Sequence, residues 1–258
     1  MKKKSAGLAN ILLSYSRLLL SISGYVPEHS TVIRALIMGA SLCFSFYISE
    51  YQPANIDLAY VYFCSSTLLY IGFIYATLSK QGLRHSFVAK WGEQGGYLRY
   101  EAILAFLFFH NGTSIGYLSM TTVSPGHSLN PTMVWYWVVA SLFIVGSVIK
   151  LWSARVVGVD IYYWKDMFLG RKISEFAASG PYKYLSNPMY GLGQLPAYAV
   201  ALWYGSSTGL LAAFINQVLV FSFYFLVEKK FIARVYLKKC LSPADVASGQ
   251  VNVINASS

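Results

Sequence analysis

The chain has 258 residues, of which 56% are hydrophobic and only 12% are charged, and its net charge is +10 at neutral pH. An ordinary soluble domain is less apolar and more charged, so this composition excludes one and indicates an integral membrane protein. The 20 Lys and Arg residues lie between apolar runs rather than along one stripe, which favours a role in membrane orientation over nucleic-acid binding.

The first predicted element is an amphipathic helix over residues 1–23. Apolar residues from Leu8 to Ile22 recur at helical spacing, while Arg17 and several small polar residues occupy the other side. The lysines at positions 2–4 would also fit a signal peptide, but Arg17 interrupts the apolar part and no small-residue cleavage site follows. We therefore expect a helix that lies in the membrane interface.

Longer apolar runs follow, and most of them approach the ~20 residues that a spanning helix needs. They cover residues 31–49, 56–78, 97–120, 131–152, 188–204 and 207–227. We therefore predict an all-α, polytopic membrane protein with about six transmembrane helices. The predicted organisation is a single domain over residues 1–240, with four spans in 31–152, a cytosolic segment at 153–187, a helical hairpin at 188–240 and a flexible tail at 241–258.

The basic residues predict the orientation of these spans. Lys and Arg concentrate in residues 79–96, in residues 150–187 and after the last span, whereas the other connections contain none. With an even number of spans, the positive-inside rule places these segments and both termini in the cytosol. Any chemistry is therefore expected at the cytosolic face.

The stretch GPYKYLSNPMYGLG, residues 180–193, precedes the fifth predicted span. Its prolines and glycines explain a break in the helix but not the surrounding polar and aromatic residues. The last two spans are joined by a short turn at Gly205, so Pro188 and Glu228 should return to one cytosolic pocket. A carboxylate at the C-terminal end of a helix opposes the helix dipole, which favours a functional role for Glu228 over a solvated helix end.

These motifs resemble the phospholipid N-methyltransferases, which transfer methyl groups from S-adenosylmethionine to phosphatidylethanolamine. The resemblance rests on Asn187-Pro188-Met189-Tyr190, Ser-Thr-Gly-Leu-Leu at Ser207 to Leu211, Glu228 and Phe231-x-Ala233-x-x-Tyr236. A weaker likeness at Trp91-Gly92 and at Tyr163 to Phe168 extends it to roughly residues 85–238. The Asn-Pro-Met-Tyr order favours phospholipid methylation.

The sequence departs from the family pattern at two points. Lys229 follows Glu228 where the family has paired acids, and only Gly146 remains of a Gly-x-Gly in an earlier span. Isoprenylcysteine carboxyl methyltransferases and sterol-reductase-like membrane enzymes have a similar Pro-x-Tyr hairpin with a terminal acid. Two alternatives therefore stay open: another enzyme of this kind, and a lipid-binding membrane subunit that has lost catalysis.

The resemblance implies S-adenosylmethionine as the cofactor and phosphatidylethanolamine or its partly methylated derivatives as the substrate, on the way to phosphatidylcholine. The residues expected to bind the cofactor are Gly146, Tyr182, Asn187, Pro188, Tyr190, Gly191 and Glu228. The residues expected near the lipid amine are Trp164, Asp166, Tyr163 and Glu101; an acid inside a predicted span, as Glu101 is, counts as a functional candidate by itself.

Methyl transfer to an amine also requires a proton acceptor. A free amine with a lysine-like pKa of about 10 is mostly protonated at neutral pH and then has no lone pair, so the site must favour deprotonation. Apolar surroundings lower an amine pKa, and a carboxylate can accept the proton. Asp166 and Glu228 are the candidate catalytic residues, and the resemblance favours cofactor binding for Glu228.

The expected partners are a phospholipid and the bilayer, with no nucleic acid and no metal. The three cysteines, Cys43, Cys64 and Cys240, lack the spacing of metal ligands. The expected location is the endoplasmic reticulum membrane in a eukaryote and the inner membrane in a bacterium. The sequence leaves the oligomeric state open.

Overall fold

The computed structural model describes residues 2–123, 133–173 and 179–237, and every regular element within these ranges is helical. The α-helices are α1 (Lys2–Ile22), α2 (Val32–Tyr51), α3 (Ile56–Leu78), α4 (Arg84–Thr121), α5 (Met133–Val157), α6 (Val159–Tyr162), α7 (Lys165–Leu169), α8 (Leu195–Trp203), α9 (Ser207–Phe223) and α10 (Lys229–Ile232). The predicted all-α class is confirmed. The predicted flexible tail, residues 241–258, and Cys240 lie outside the described residues.

Short 3₁₀ and π-helical turns complete the chain. The 3₁₀ turns are Pro27–His29, Gly180–Lys183 and Leu192–Gln194. After α9, the chain continues through the π-helical turn Tyr224–Glu228, then α10 and a second π-helical turn, Ala233–Leu237. A π-helical turn changes the direction of the side chains that follow it, and such turns are frequent at functional sites.

Four helical stretches in the described part of the chain are long and apolar enough to cross a membrane: α2, α3, α5 and the stretch Ser207–Tyr236. The predicted span at 97–120 lies within the longer helix α4. The predicted span at 188–204 is helical only in α8, whose nine residues extend about 14 Å, less than half of a hydrocarbon core of about 30 Å. The membrane-protein prediction is supported, and the count of six spans is not confirmed.

Helix α4 is bent near its start, where it leaves the predicted loop 79–96. Gly92 has a non-helical conformation inside α4, with φ 72° and ψ 172°, a region that favours glycine. Gly96 lies one turn later, and an added Cβ there would be 2.9 Å from the Phe87 carbonyl oxygen. The bend therefore folds the first turns of α4 back against the rest of the helix.

Polar side chains join α4 to its neighbours in the interior. Asn111 accepts a hydrogen bond from Thr67 of α3 at 2.9 Å and donates one to Asn216 of α9 at 2.9 Å. His110 contacts the Tyr62 hydroxyl at 2.6 Å and the Ser41 hydroxyl at 3.0 Å. These contacts fix α2, α3 and α9 around α4, because buried polar groups between membrane helices need partners.

Helices α8 and α9 form the antiparallel hairpin predicted at the end of the chain. Gly205 has φ 62° in the turn, and the Ser206 hydroxyl accepts a hydrogen bond from the Gly209 N–H at 2.8 Å, which caps α9. An added Cβ on Gly209 would lie 2.2 Å from the Ser119 hydroxyl oxygen, so α9 packs closely on α4. The hairpin is therefore anchored at the end opposite Glu228.

A broken segment lies between α5 and the hairpin. The short helices α6 and α7 are separated by Trp164, which has φ 53° and ψ 40° and is the one non-glycine residue with positive φ in the described ranges. Gly158 and Gly170, at φ 82° and 70°, allow the turns on either side. A bulky residue held in the left-handed region is strained, and such strain concentrates at functional sites.

Candidate active site

Side chains from three parts of the chain meet in one pocket of about 360 Å³, which is within the range of small-molecule sites. The broken segment contributes Trp164 and Asp166, the turn before α8 contributes Tyr182 and Asn187, and the end of α9 contributes Glu228. Further lining residues are Val156, Val157, Ile161, Met167, Ser186, Met189, Tyr224, Lys229, Phe231, Ile232, Ala233 and Tyr236. The wall is largely apolar and aromatic, with two carboxylates.

A tyrosine hydroxyl holds Glu228 in place. The Tyr190 hydroxyl donates a hydrogen bond to Glu228 Oε2 at 2.8 Å, and Trp164 lines the same pocket. Tyr190 belongs to the turn before α8, and Glu228 lies at the end of a π-helical turn, so this contact closes the hairpin. The predicted return of the Asn-Pro-Met-Tyr segment and Glu228 to one pocket is confirmed.

Asp166 is the second carboxylate, and it is buried, with 6% of its surface exposed. Its Oδ1 accepts a hydrogen bond from the Met167 N–H at 2.8 Å, and its Oδ2 accepts one from the Tyr236 hydroxyl at 2.8 Å. Burial raises the pKa of Asp166 above the ordinary value, and the two hydrogen bonds act in the opposite direction. Asp166 is therefore both oriented and poised to take up a proton more readily than a solvated aspartate.

The turn around Pro188 is fixed by its own backbone. Pro188 is fully buried, and its carbonyl accepts a hydrogen bond from the Gly193 N–H at 2.8 Å. The Asn187 carbonyl accepts one from the Gly191 N–H at 3.0 Å, and the Asn187 side chain accepts the Tyr190 N–H at 3.4 Å. Asn187 and Gly191 thus shape the turn that presents Tyr190.

Gln217 of α9 ties this turn to the hairpin, and sequence reasoning missed it. Its side-chain amide donates to the Tyr190 carbonyl at 2.9 Å and to the Gly191 carbonyl at 3.2 Å. It also accepts a hydrogen bond from the Tyr198 hydroxyl at 2.5 Å. An uncharged polar residue within an apolar run was the available signal, because such a residue needs a partner in a membrane.

Tyr182 lies on the pocket wall with a hydroxyl that has no hydrogen-bond partner in the described structure. A buried polar group without a partner is costly and therefore indicates a missing ligand group or solvent. Together with Glu228 and Asp166, this hydroxyl gives the pocket a donor and two acceptors. The set suits a polar, positively charged ligand of nucleotide size.

The structure does not bring Gly146, Tyr163 or Glu101 to this pocket. An added Cβ on Gly146 would lie 2.5 Å from Pro196 Cδ, so Gly146 allows α5 to pack on α8. The Tyr163 hydroxyl donates to the Ser21 carbonyl of α1 at 2.6 Å. These two positions favour packing roles.

Glu101 is completely buried in an ion-pair cluster. Its carboxylate lies 2.7 Å from His29 Nδ1 and 3.0 Å from an Arg34 guanidinium nitrogen, so it joins α4 to the start of α2. Arg99, two positions before Glu101 in the chain, donates to the Gly95 carbonyl at 3.0 Å. The position of Glu101 favours a structural role.

No group of three or more His, Cys, Asp or Glu side chains within the described ranges could hold a metal ion. The absence of a metal from the site remains a sequence-based prediction. The chemistry available to the pocket residues is proton transfer by carboxylates and binding of a cation by aromatic rings and negative charge.

The fold and the pocket define a helical membrane protein with a carboxylate-containing, aromatic-lined site at the end of a hairpin. Residues 134–239 match the phospholipid methyltransferase family, and all residues that line the pocket lie within this segment. This segment is therefore similar to that family, and it is less than half of the chain. The weaker likeness predicted at Trp91-Gly92 lies outside the matched residues.

One curated relative is the phosphatidylethanolamine N-methyltransferase of Eremothecium gossypii, which is 30% identical to this chain over 118 residues. The aligned segment is 46% of this chain and 14% of the relative. No solved structure matches the chain.

Proposed function

We propose that this protein transfers a methyl group from S-adenosylmethionine to the amine of phosphatidylethanolamine or of its partly methylated derivatives, towards phosphatidylcholine. The observation that carries the proposal is the hydrogen bond between Tyr190 and Glu228, which builds one pocket from the two ends of the hairpin. The match of residues 134–239 to the phospholipid methyltransferase family supports methyl transfer, and the relative's printed name supports the lipid substrate.

The pocket residues fit S-adenosylmethionine, which carries a sulfonium, an amino group and a ribose. The unpartnered Tyr182 hydroxyl and the Glu228 carboxylate offer contacts to its polar groups, and the Trp164 ring offers a cation–π contact worth ~0.5–2 kcal/mol. When bound, S-adenosylmethionine supplies a methyl group that its positive sulfur makes electrophilic. Glu228 is assigned to holding it, because the Tyr190 hydroxyl already orients this carboxylate.

Asp166 is assigned to the lipid amine. An ammonium group must lose a proton before its nitrogen has a lone pair, and the Asp166 carboxylate can accept that proton. Burial raises the pKa of Asp166, which makes it a stronger base than a solvated aspartate, and the Tyr236 hydroxyl holds its Oδ2. The protein's further contribution is alignment of the two reactants, which can be worth ~7–11 kcal/mol.

We infer that the site opens at the cytosolic face, with both termini on the same side. A water-soluble cofactor and a headgroup can meet there without either crossing the bilayer. The inference rests on the distribution of Lys and Arg between the apolar runs. It takes the later part of α4 and the short helix α8 as membrane-embedded elements in addition to the four long spans, which gives the predicted six. We propose an endoplasmic reticulum location in a eukaryote.

The test is methyl transfer by the purified protein in phosphatidylethanolamine vesicles, using S-adenosylmethionine labelled on its methyl group. We expect label in the extracted lipid, and much less with Glu228→Gln, which keeps the side-chain size but removes the charge. Glu93→Gln is the matched control, because Glu93 is exposed and pairs only at the surface with Arg171 at 2.7 Å.

Three results would contradict the proposal in different ways. Label in a prenylated cysteine peptide but not in lipid would favour a carboxyl methyltransferase. Failure of the natural chain to label any acceptor, although it binds phosphatidylethanolamine, would favour the lipid-binding subunit. Stabilisation of the protein by a reduced nicotinamide cofactor but not by S-adenosylmethionine would favour a reductase.

A further inference from the structure

Lys150 is a charged residue within the spanning helix α5, about two turns before the helix ends at Val157. Within residues 2–123, 133–173 and 179–237, no carboxylate lies within 4.0 Å of its amine. Its amine instead lies 4.9 Å from the centre of the Phe108 ring. A lysine in a membrane span is costly, so its presence without an acidic partner indicates a functional role.

Lys150 lines two adjoining cavities. The smaller, of about 30 Å³, is bounded by aromatic side chains, and the larger, of about 350 Å³, lies among α4, α5, α8 and α9. The residues that line both are Tyr70, Phe108, Lys150, Gln194 and Val220. Gly193 permits the close approach, since an added Cβ there would be 3.5 Å from Lys150 Cβ.

The smaller cavity also borders the candidate active site. Trp164 and Met189 line both this cavity and the pocket that contains Glu228 and Asp166. The aromatic side chains of the smaller cavity include Tyr70, Tyr162, Tyr163, Trp164 and Tyr190. The cavity that Lys150 lines therefore adjoins the carboxylate pocket at Trp164 and Met189.

The larger cavity lies where two membrane helices leave a gap. Helices α4 and α5 make little direct contact, although both pack against α8. Gly112 and Gly116 of α4 line the cavity, and an added Cβ at either would meet nothing within 4 Å. Most of the lining is apolar. Lys150 and Gln194 lie near the border with the smaller cavity, and the other polar side chains are Ser23 and the mutually hydrogen-bonded Asn111 and Asn216. Such a gap suits hydrocarbon chains at one end and a polar headgroup at the other.

We propose that Lys150 binds the phosphate of the phospholipid acceptor, while the acyl chains occupy the gap between α4 and α5 and the amine extends past Trp164 and Met189 towards Asp166. This inference rests on the proposed function and adds the residue that selects a phospholipid. A compact ammonium forms strong, charge-assisted hydrogen bonds to phosphate oxygens. Aromatic rings favour the cationic or methylated amine at the other end of the headgroup.

The test is binding, which needs no turnover. Equilibrium dialysis measures the affinity of the purified protein for dihexanoyl-phosphatidylethanolamine, a soluble phospholipid, and for octylamine, an amine without phosphate. Lys150→Met should weaken phospholipid binding by about 10- to 100-fold, the loss of one hydrogen bond to a charged group. Octylamine binding should change little, and Lys150→Arg should retain most of the phospholipid affinity.

Matched variants separate this effect from general loss of charge or fold. Lys80→Met removes the same charge from an exposed position between α3 and α4 and should leave both affinities unchanged. Should Lys150→Met fail to fold, Lys150→Gln carries the same comparison. In turnover assays, the variant should raise the phospholipid KM with a smaller change in kcat.

Three outcomes overturn the inference. Equal phospholipid affinity of the natural chain and the Lys150 variant would remove the phosphate contact. Equal losses of phospholipid affinity and octylamine affinity in Lys150→Met would indicate that Lys150 has only a structural role. Inorganic phosphate that binds as tightly as the lipid would assign the site to free phosphate. If the natural chain binds phospholipid through Lys150 but transfers no methyl group, the proposed function alone fails.

Discussion

Replacing Tyr190 with phenylalanine removes one hydroxyl from the candidate active site and leaves the ring in place. In the structure this hydroxyl donates to Glu228 Oε2 at 2.8 Å. A hydrogen bond to a charged group is worth about 1.5–3 kcal/mol. Because the Glu228 carboxylate itself remains in the pocket, we expect a loss near the lower end, about 10- to 30-fold in affinity for S-adenosylmethionine.

The assay is equilibrium dialysis of labelled S-adenosylmethionine against the purified natural chain and Tyr190→Phe. Tyr117→Phe is the matched control, because Tyr117 is a buried tyrosine whose hydroxyl donates to the Gln52 carbonyl at 2.6 Å, outside the pocket. The control should lower the thermal unfolding temperature without changing cofactor affinity. Unchanged affinity in Tyr190→Phe would refute the assignment of Glu228 to the cofactor.

Further predictions concern the second carboxylate and the residues outside the pocket. Asp166→Asn should lower kcat by about 100- to 10,000-fold with little change in cofactor affinity; a loss below tenfold would argue against proton transfer by Asp166. Tyr236→Phe removes a hydrogen bond that lowers the pKa of Asp166, so the carboxylate should form only at higher pH. The acidic limb of the kcat–pH profile should therefore shift to higher pH. An unchanged profile would contradict this role of Tyr236. Gly146→Ala should destabilise the protein by about 1–3 kcal/mol, because the added methyl group overpacks against α8. Gly39→Ala should not, because there is open space beside Gly39. A thermal unfolding curve that Gly146→Ala leaves unchanged would contradict the packing role. Glu101→Gln should lower the free energy of unfolding by about 3–5 kcal/mol, while the folded protein keeps its affinity for S-adenosylmethionine. A higher KM for the lipid at unchanged stability would instead support substrate binding by Glu101.

Sequence reasoning could locate the hairpin contact because its geometry follows from a short turn. Two helices joined at Gly205 must run side by side, so the segment before the first helix and the segment after the second return to the same end. The motif at Asn187 to Tyr190 and the carboxylate of Glu228 satisfy this relation, and the structure joins them directly.

Other features depend on contacts that no local pattern specifies. Tyr236 reaches Asp166 across 70 positions, and Gln217 holds a turn that precedes its own helix. A glycine such as Gly146 has the same sequence appearance whether it admits a ligand or a neighbouring helix. The helix observed in the fifth predicted span, α8, is shorter than the apolar run 188–204 from which the span was predicted. Hydropathy measures only how apolar the residues are, so it does not show that the backbone at residues 188–194 is not α-helical.

The most direct test of the account is a structure of this protein with S-adenosylhomocysteine, the product that remains after methyl transfer. We expect this molecule to lie between Tyr182 and Glu228, with its sulfur facing Trp164. Density for the molecule beside Gly146 and α8, or outside the pocket closed by Tyr190, would contradict it.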